Sequence, residues 1–258
     1  MMGRFAGKRI LVTGSTRGIG YAVAQRFLEE EGHVILHGRK PQPVKKTVNA
    51  FKAEFGDRVS GFAANLSVRS ECSRLCIKSG DIDILVNCAG VYEEVPMENA
   101  DNAHWHRILD VNTTAPWLLI RGLLAGLRQR KGVIINVSSD SGLLGYANSI
   151  VYCASKGALI GLSRALAVEL APEVRVLCVC PGPVETDMMR NTMAASLDPE
   201  AVRKNWQSST LLGRVAAPSE IAAAIAFAAS PDCSYATGNL IVVDGGTTAG
   251  RRVVSPSN

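Results

Sequence analysis

Residues 9–20 read Arg9-Ile10-Leu11-Val12-Thr13-Gly14-Ser15-Thr16-Arg17-Gly18-Ile19-Gly20, an apolar run followed by a glycine-rich turn and the start of a segment with helical spacing. The run predicts a strand over 9–13 and the spacing a helix from 18 onward. Glycine turns tightly and lets backbone amides approach an anion with no Cβ in the way, and a helix N-terminus adds partial positive charge. In this strand-to-helix context the turn suits a pyrophosphate. It lacks the Lys-Ser/Thr ending of a nucleoside-triphosphate loop, which disfavours ATP or GTP hydrolysis.

Working outward, short Val/Ile/Leu-rich runs recur at 34–37, 58–63, 82–87, 133–138, 174–180 and 240–243, giving seven strands in all. They barely alternate with polar residues, so both faces are expected to be covered, as in a parallel sheet. Helical spacing at 18–31, 43–55, 70–79, 102–129, 151–170 and 219–229 supplies the cover, with Pro218, Ser219 and Glu220 opening the last helix and Gly32 closing the first. The alternation predicts an α/β fold: a single-domain, Rossmann-like, doubly wound sheet of about seven parallel strands with helices on both faces. No linker or repeat divides the 258 residues, so one dinucleotide-binding domain is expected across 1–258. Residues 187–212 carry no strand and are long for a connection; they read as a substrate-binding lid or as an edge helix on the same domain. Residues 248–258, with Arg251 and Arg252, read as a tail.

Composition excludes several classes. The chain is 47% hydrophobic and 20% charged with a net charge of +5, enough apolar material for a core and no concentrated basic face for nucleic acid. Cys72 and Cys76 have one-face helical spacing, but the four histidines, His33, His37, His104 and His106, complete no zinc pattern with them, and no metal is expected. Apolar runs of about five residues fall far short of the ~20 that span a bilayer, so no membrane partner is expected. Seven cysteines in a chain with no secretory segment before the first strand point to reduced thiols and a cytoplasmic location.

The second strand ends in His37-Gly38-Arg39-Lys40. A dinucleotide fold that uses NAD places an acidic side chain here, about 20 residues beyond the turn, to hold the adenosine ribose. No carboxylate is available. Arg39 and Arg17 are planar, permanently charged groups suited to a ribose 2′-phosphate, so NADP(H) is preferred, with NAD(H) the alternative.

At Val151-Tyr152-Cys153-Ala154-Ser155-Lys156 a tyrosine and a lysine lie four apart at the start of a helix and share a face. An ammonium beside a phenol favours the phenolate and is expected to lower its pKa towards general acid/base use. Ser139 ends the fifth strand, and ligands of open α/β sheets bind outside the carboxyl ends of strands, so Ser139 is placed to meet Tyr152.

Over positions 7–246 the sequence resembles the short-chain dehydrogenase/reductase family. The resemblance rests on the turn at 13–20, Asn87-Cys88-Ala89-Gly90, Asn112 after Val111, Ser139, the Tyr152/Lys156 pair, Pro181-Gly182 with Thr186, and Asp244-Gly245-Gly246. It implies that Tyr152 is the catalytic acid/base, that Lys156 lowers its pKa and holds the nicotinamide ribose, and that Ser139 binds the substrate oxygen. Asn112 resembles the residue that bends a helix and holds a water in a proton relay. Cofactor contacts are implied for Gly14, Ser15, Thr16, Arg17, Gly18, Ile19 and Gly20 at the turn and for Arg39. They are implied also for Asn65, Leu66, Asn87, Ala89 and Gly90 on the adenosine side, and for Pro181, Gly182, Val184 and Thr186 at the nicotinamide end.

Two positions depart from the family pattern: Asn65 replaces a common aspartate near the adenine, and Cys88 replaces the second asparagine of Asn-Asn-Ala-Gly. The segment 67–82 is short. The substrate implied is a small carbonyl compound or secondary alcohol, with the 3-oxoacyl-thioester reductases the most similar type. Alternatives are a sugar, polyol or steroid dehydrogenase and a dinucleotide sensor without turnover, although Tyr152 and Lys156 are both present. Arg190, Arg203 and Lys204 raise an acidic substrate or carrier as a further expectation. A homodimer or homotetramer, paired through the helices containing Asn112 and Tyr152, is also implied.

Overall fold

The structure is a computed structural model and describes residues 3–250. Seven strands, β1 (Arg9–Val12), β2 (His33–Gly38), β3 (Val59–Ala63), β4 (Ile84–Asn87), β5 (Val133–Val137), β6 (Arg175–Pro181) and β7 (Leu240–Val243), form one all-parallel sheet in the order β3-β2-β1-β4-β5-β6-β7. Successive residues of a strand point to opposite faces. Ile10 and Val12 therefore enter a core with Phe27, Leu36, Ile135 and Ile225, while Leu11 joins Ile35, Leu85, Leu119 and Ile134 on the other side. Both faces are dry, which is why these strands show little polar alternation.

The helices are α1 (Gly18–Glu29), α2 (Pro41–Phe55), α3 (Arg69–Ser79), α4 (Asn102–Leu109), α5 (Ala115–Gln129), α6 (Ile150–Leu170), α7 (Asp187–Ala194), α8 (Pro199–Ser208) and α9 (Pro218–Ala229). The expected helix at 102–129 is divided. A π-helical turn, Asp110–Thr114, separates α4 from α5 and carries Asn112. Such turns disturb helical spacing by one residue, which periodicity over a long window averages out.

The closure of α1 also differs from expectation. The left-handed residue is Glu31, with φ of 69°, while Gly32 follows it and donates its N–H to the Phe27 carbonyl. Glu31 is held by its carboxylate, which accepts from the Gly3 N–H at 2.9 Å. Residues 187–212 hold α7 and α8 and no strand. Helix α6, at 21 residues, is long and apolar enough by composition to cross a membrane. Here it is a core helix, burying Val151, Leu159, Ile160, Ala167 and Leu170. Arg251 and Arg252 lie outside the described residues.

The chain reverses its direction of winding between β1 and β4, which opens a crevice at the carboxyl ends of these strands. Thr13 staples its two sides. Its N–H donates to the Val86 carbonyl at 3.0 Å, and its hydroxyl oxygen accepts from the N–H groups of Cys88 and Ala89, each at 3.0 Å.

Candidate active site

The glycine-rich turn lies at one end of this crevice. Gly14 has φ of 68°, and a Cβ placed on it would stand 2.8 Å from the Ala89 Cα, so both the backbone conformation and the approach of 87–90 demand glycine. The N-cap of α1, Arg17, is extended and gives no side-chain cap. The first amides of α1 are thus available to an anion at the positive end of the helix. Ser15 is buried and bound to β2: its N–H and hydroxyl reach the His37 carbonyl at 2.9 and 3.4 Å, and it accepts from the His37 N–H at 2.9 Å.

His37 is a site residue that the sequence reading left unassigned. Its Nδ1 accepts from the Gly14 N–H at 3.2 Å and its Nε2 faces the Ala64 carbonyl at 3.0 Å. The second contact assigns the proton to Nε2 and the lone pair to Nδ1. Burial holds the imidazole below its ordinary pKa, which keeps this acceptor in place. Sequence gives no sign of the contact because residues 14 and 37 meet only through strand pairing.

Arg39 is exposed and has no ion-pair partner among the described residues; Arg17, also exposed, lies 3.9 Å from the Asp187 carboxylate at the start of α7. Asn65 accepts from the N–H and hydroxyl of Ser67 with its Oδ1, while its own N–H donates to Glu71 at 2.6 Å. Its side-chain oxygen is therefore occupied. Leu66 is buried beside it. Asn87 donates to Asn136 Oδ1 at 2.8 Å, and Asn136 donates to Ser163 at 2.9 Å, a buried polar ladder tying β4, β5 and α6 together. At Cys88 burial pushes the thiol up to about 12, opposed weakly by Lys156, so this substitution puts a neutral thiol at the site.

On the far side, the Gly182 N–H bonds to the Val243 carbonyl after Pro181 closes β6, Val184 pairs with Ala216, and Thr186 caps α7 by accepting from the Met189 N–H at 3.4 Å. Thr186 carbons lie 3.4–3.5 Å from where a Cβ on Gly18 would stand. The turn at 14–20 and the segment 181–186 therefore line opposite sides of one crevice, as the spacing alone could not show.

Ser139, Tyr152, Lys156 and Asn112 converge there. Lys156 is buried, donates to the Val137 carbonyl at 2.8 Å, and lies over the Tyr152 ring at 5.7 Å from its centroid. Val137 is its one acceptor among the described residues, and an ammonium has three protons to give. A Cβ on Gly90 would stand 3.5 Å from Asn112 Oδ1 and 3.6 Å from Lys156 Nζ. The Asn112 amide is fully engaged: Oδ1 accepts from the Val91 N–H at 2.9 Å, and Nδ2 donates to the Val91 carbonyl at 2.9 Å and to Ser155 Oγ at 3.0 Å. Its side chain thus fixes the segment that follows Gly90 against α6.

Contrary to the net lowering expected from Lys156, the Tyr152 phenol is held above its ordinary value. Burial pushes the phenol above its ordinary value, the Asp140 carboxylate adds to the rise, and the Ser139 hydroxyl alone draws it down. Desolvation of the phenolate outweighs the rest, and Lys156 is itself held below its ordinary value by burial. The Ser139 hydroxyl also has two acceptors in its own segment, Asp140 Oδ1 at 2.9 Å and Ser141 Oγ at 3.2 Å. A second tyrosine, Tyr92, packs edge-on against Tyr152 with centroids 4.8 Å apart; its hydroxyl reaches Glu94 at 2.5 Å and Ser149 at 3.2 Å. Nothing in the sequence marked it.

The family profile described as enoyl-(acyl carrier protein) reductase matches residues 14–248. A solved structure titled a short chain dehydrogenase/reductase family protein superposes with a TM-score of 0.87 at 32% identity, covering 96% of this chain and all of that one. The chain belongs to the short-chain dehydrogenase/reductase family. Among its relatives, the 3-oxoacyl-(acyl-carrier-protein) reductase FabG of Aquifex aeolicus is 34% identical, covering 94% of this chain and 98% of that protein. The meso-2,3-butanediol dehydrogenase of Serratia marcescens is 34% identical over 95% of this chain and 96% of that one. This member of the short-chain dehydrogenase/reductase family is accordingly an oxidoreductase of the NAD(P)-dependent type.

Proposed function

We propose that this enzyme moves a hydride between NADP(H) and a ketone or secondary alcohol, with Tyr152 as the acid/base. The observation that carries the reading is the meeting of Ser139, Tyr152 and Lys156 at the carboxyl end of β5, beside a turn whose helix end is uncapped. The residues present fit a dinucleotide: free amides at α1 for the pyrophosphate, a glycine cradle at Gly14, and Lys156 protons for ribose hydroxyls. Arg39 and Arg17 support the 2′-phosphate and hence NADP(H) over NAD(H).

A dinucleotide held by these residues would supply the hydride for the carbonyl carbon. The protein's part is to move the proton. Tyr152 gives its phenolic proton to the substrate oxygen on reduction and takes it back on oxidation. Ser139 positions that oxygen. Lys156, fixed by Val137, stabilises the phenolate that reduction leaves. Because the Asn112 amide is engaged, a relay water at this residue would use its backbone carbonyl within the π-turn.

Charge on the lid segment supports a neutral substrate. Arg190 pairs with Asp187 at 2.5 Å, Arg203 with Glu185 at 3.3 Å and Lys204 with Glu200 at 3.2 Å, so each of these cations already faces a carboxylate. We infer that α7 and α8 form the lid over the substrate, with Asp187 at the start of α7 beside Arg17. Exposed Trp105, Trp117 and Val168, on α4, α5 and α6, support a homodimer or homotetramer paired through these helices. Seven unbonded cysteines support a reducing, cytoplasmic setting.

Turnover of ketones and alcohols with NADPH, NADH and their oxidised forms tests the reading. Tyr152→Phe is expected to abolish turnover and leave NADPH binding nearly intact; retained turnover would remove Tyr152 from its role.

A further inference from the structure

Tyr92 lies half-buried on the segment that follows Gly90, and the reaction as described does not use it. Its ring meets that of Tyr152 edge to face, with centroids 4.8 Å apart and planes at 77°. The hydroxyl is fully engaged: it donates to Glu94 Oε1 at 2.5 Å, and with that proton spent its oxygen accepts from Ser149 Oγ at 3.2 Å. Ser149 is buried and directly precedes α6, whose first turn it leaves without a side-chain cap, so its hydroxyl serves Tyr92 instead. Further contacts fasten the segment on either side. Val91 is held by the Asn112 amide at 2.9 Å, and the Val95 N–H donates at 2.7 Å to the carbonyl of Asn148, a left-handed residue with φ of 59°.

We propose that Tyr92 is a positioning residue: its ring seats the Tyr152 phenol and closes that side of it to water, while Ser149 and Glu94 hold Tyr92 in place. A tyrosine swings about two side-chain torsions, and it keeps one orientation only where neighbours fill the space around its ring. Lys156 reaches the Tyr152 ring as a cation at 5.7 Å, and Tyr92 as an aromatic at 4.8 Å. Aromatic pairs favour an edge-to-face approach at this separation, a directional preference that an aliphatic side chain of similar bulk lacks. The anchor and the ring belong to the same helix end: Ser149 lies three residues before Tyr152, so both tyrosines are referred to one rigid element. A phenol so closed to water keeps its proton until the substrate oxygen takes it, which serves the acid role. Small losses of alignment at a reacting centre cost rate rather than binding.

The inference rests on the proposed role of Tyr152, so its test has one arm that needs turnover and one that does not. Burial is the chief cause that keeps the proton on Tyr152, and Tyr92 contributes ring surface to it. The other charged or titratable groups about this phenol are Asp140 beside Ser139, Cys153 and Lys156 on α6, and Glu94 behind Tyr92. The ultraviolet phenolate band of Tyr152 is assigned, in each cofactor-free protein, by difference from the same chain carrying Tyr152→Phe. It is expected to move to lower pH by about half a unit or more in Tyr92→Leu, which admits water beside the ring. In Tyr92→Phe it is expected to stay near its wild-type place.

In the second arm, ethyl acetoacetate is reduced with NADPH. Tyr92→Leu is expected to lower kcat about 10-fold with the NADPH dissociation constant within about twofold of wild type. Tyr92→Phe, which keeps the ring and gives up the bonds to Ser149 and Glu94, is expected to recover most of the loss. Tyr92→Met takes the place of Tyr92→Leu should the latter not fold. Wild-type kcat in the ring-free variant, Tyr152 titrating unchanged in it, or a Tyr92→Phe protein as impaired as Tyr92→Leu would overturn the proposal. Tyr152→Phe serves as the control: if it keeps turnover, the parent reading fails while the titration still decides whether Tyr92 shields this phenol.

Discussion

Lys156 Nζ lies over the ring of Tyr152, 5.7 Å from its centroid, with its one hydrogen bond among the described residues directed to the Val137 carbonyl rather than to the phenol. The cation is close enough to stabilise charge on the ring. It nonetheless leaves the phenol governed by burial, which holds the proton on Tyr152 until a partner of opposite preference arrives.

In the cofactor-free protein the Tyr152 phenolate is therefore expected above the ordinary tyrosine pKa of about 10, and an oxidised dinucleotide, with its cationic ring, to draw the ionisation down. Alcohol oxidation should rise with pH as the base forms. Phenolate absorbance with and without NADP+ checks the first expectation, and a rate that is flat from pH 6 to about 10 would count against the second.

Tyr92, Tyr146 and Tyr152 all hold their protons more tightly in the folded chain than in an unfolded one, chiefly through burial. Their contribution is present in full below the unfolded value of about 10 and is lost as pH climbs from there towards the folded values. Melting temperature measured across the alkaline range should fall from about pH 10 upward, and the fall should be smaller in Tyr92→Phe.

Removing the exposed guanidinium in Arg39→Ala should weaken NADPH about 10-fold and leave NADH nearly unchanged. Titration of both reduced cofactors against the variant measures this. Equal losses for the two would assign Arg39 to the shared part of the dinucleotide or to the surface.

His37→Ala takes away the acceptor of the Gly14 N–H and leaves a part-buried amide without that partner, a cost of about 1 kcal/mol before the lost packing is counted. Denaturant unfolding should show a drop at least this large. Because the same bond shapes the phosphate turn, dinucleotide affinity should fall with it, whereas kcat at saturation should change little.

Sedimentation of the wild-type chain should show a dimer or tetramer. Trp117→Glu, which puts a charge on the outer face of α5, should shift the population towards monomer. A wild-type chain that sediments as a monomer removes the pairing.

The central strands were legible because both faces of each are dry, so Ile10, Leu11 and Val12 read as one apolar run although they serve two different cores. The turn at 13–20 was legible because its glycines answer a local steric demand. The helix at 102–129 was only partly so: the π-turn at Asn112 depends on Val91 and Ser155, which are distant in sequence. Glu31, not Gly32, took the left-handed position since the Gly3 N–H rewards its carboxylate there.

By itself the sequence determined the parallel α/β sheet, the place of the phosphate turn and the Tyr152–Lys156 spacing, all of which follow from steric and periodic rules acting over a few residues. Only the tertiary structure decided that His37 holds Gly14, that Tyr92 packs on Tyr152, that Tyr146 anchors Asp140 beside Ser139, and that burial sets the phenol's proton affinity. These depend on which distant atoms exclude water from a group and which remain to bond it, and desolvation is a property of the assembled neighbourhood, not of any stretch of chain.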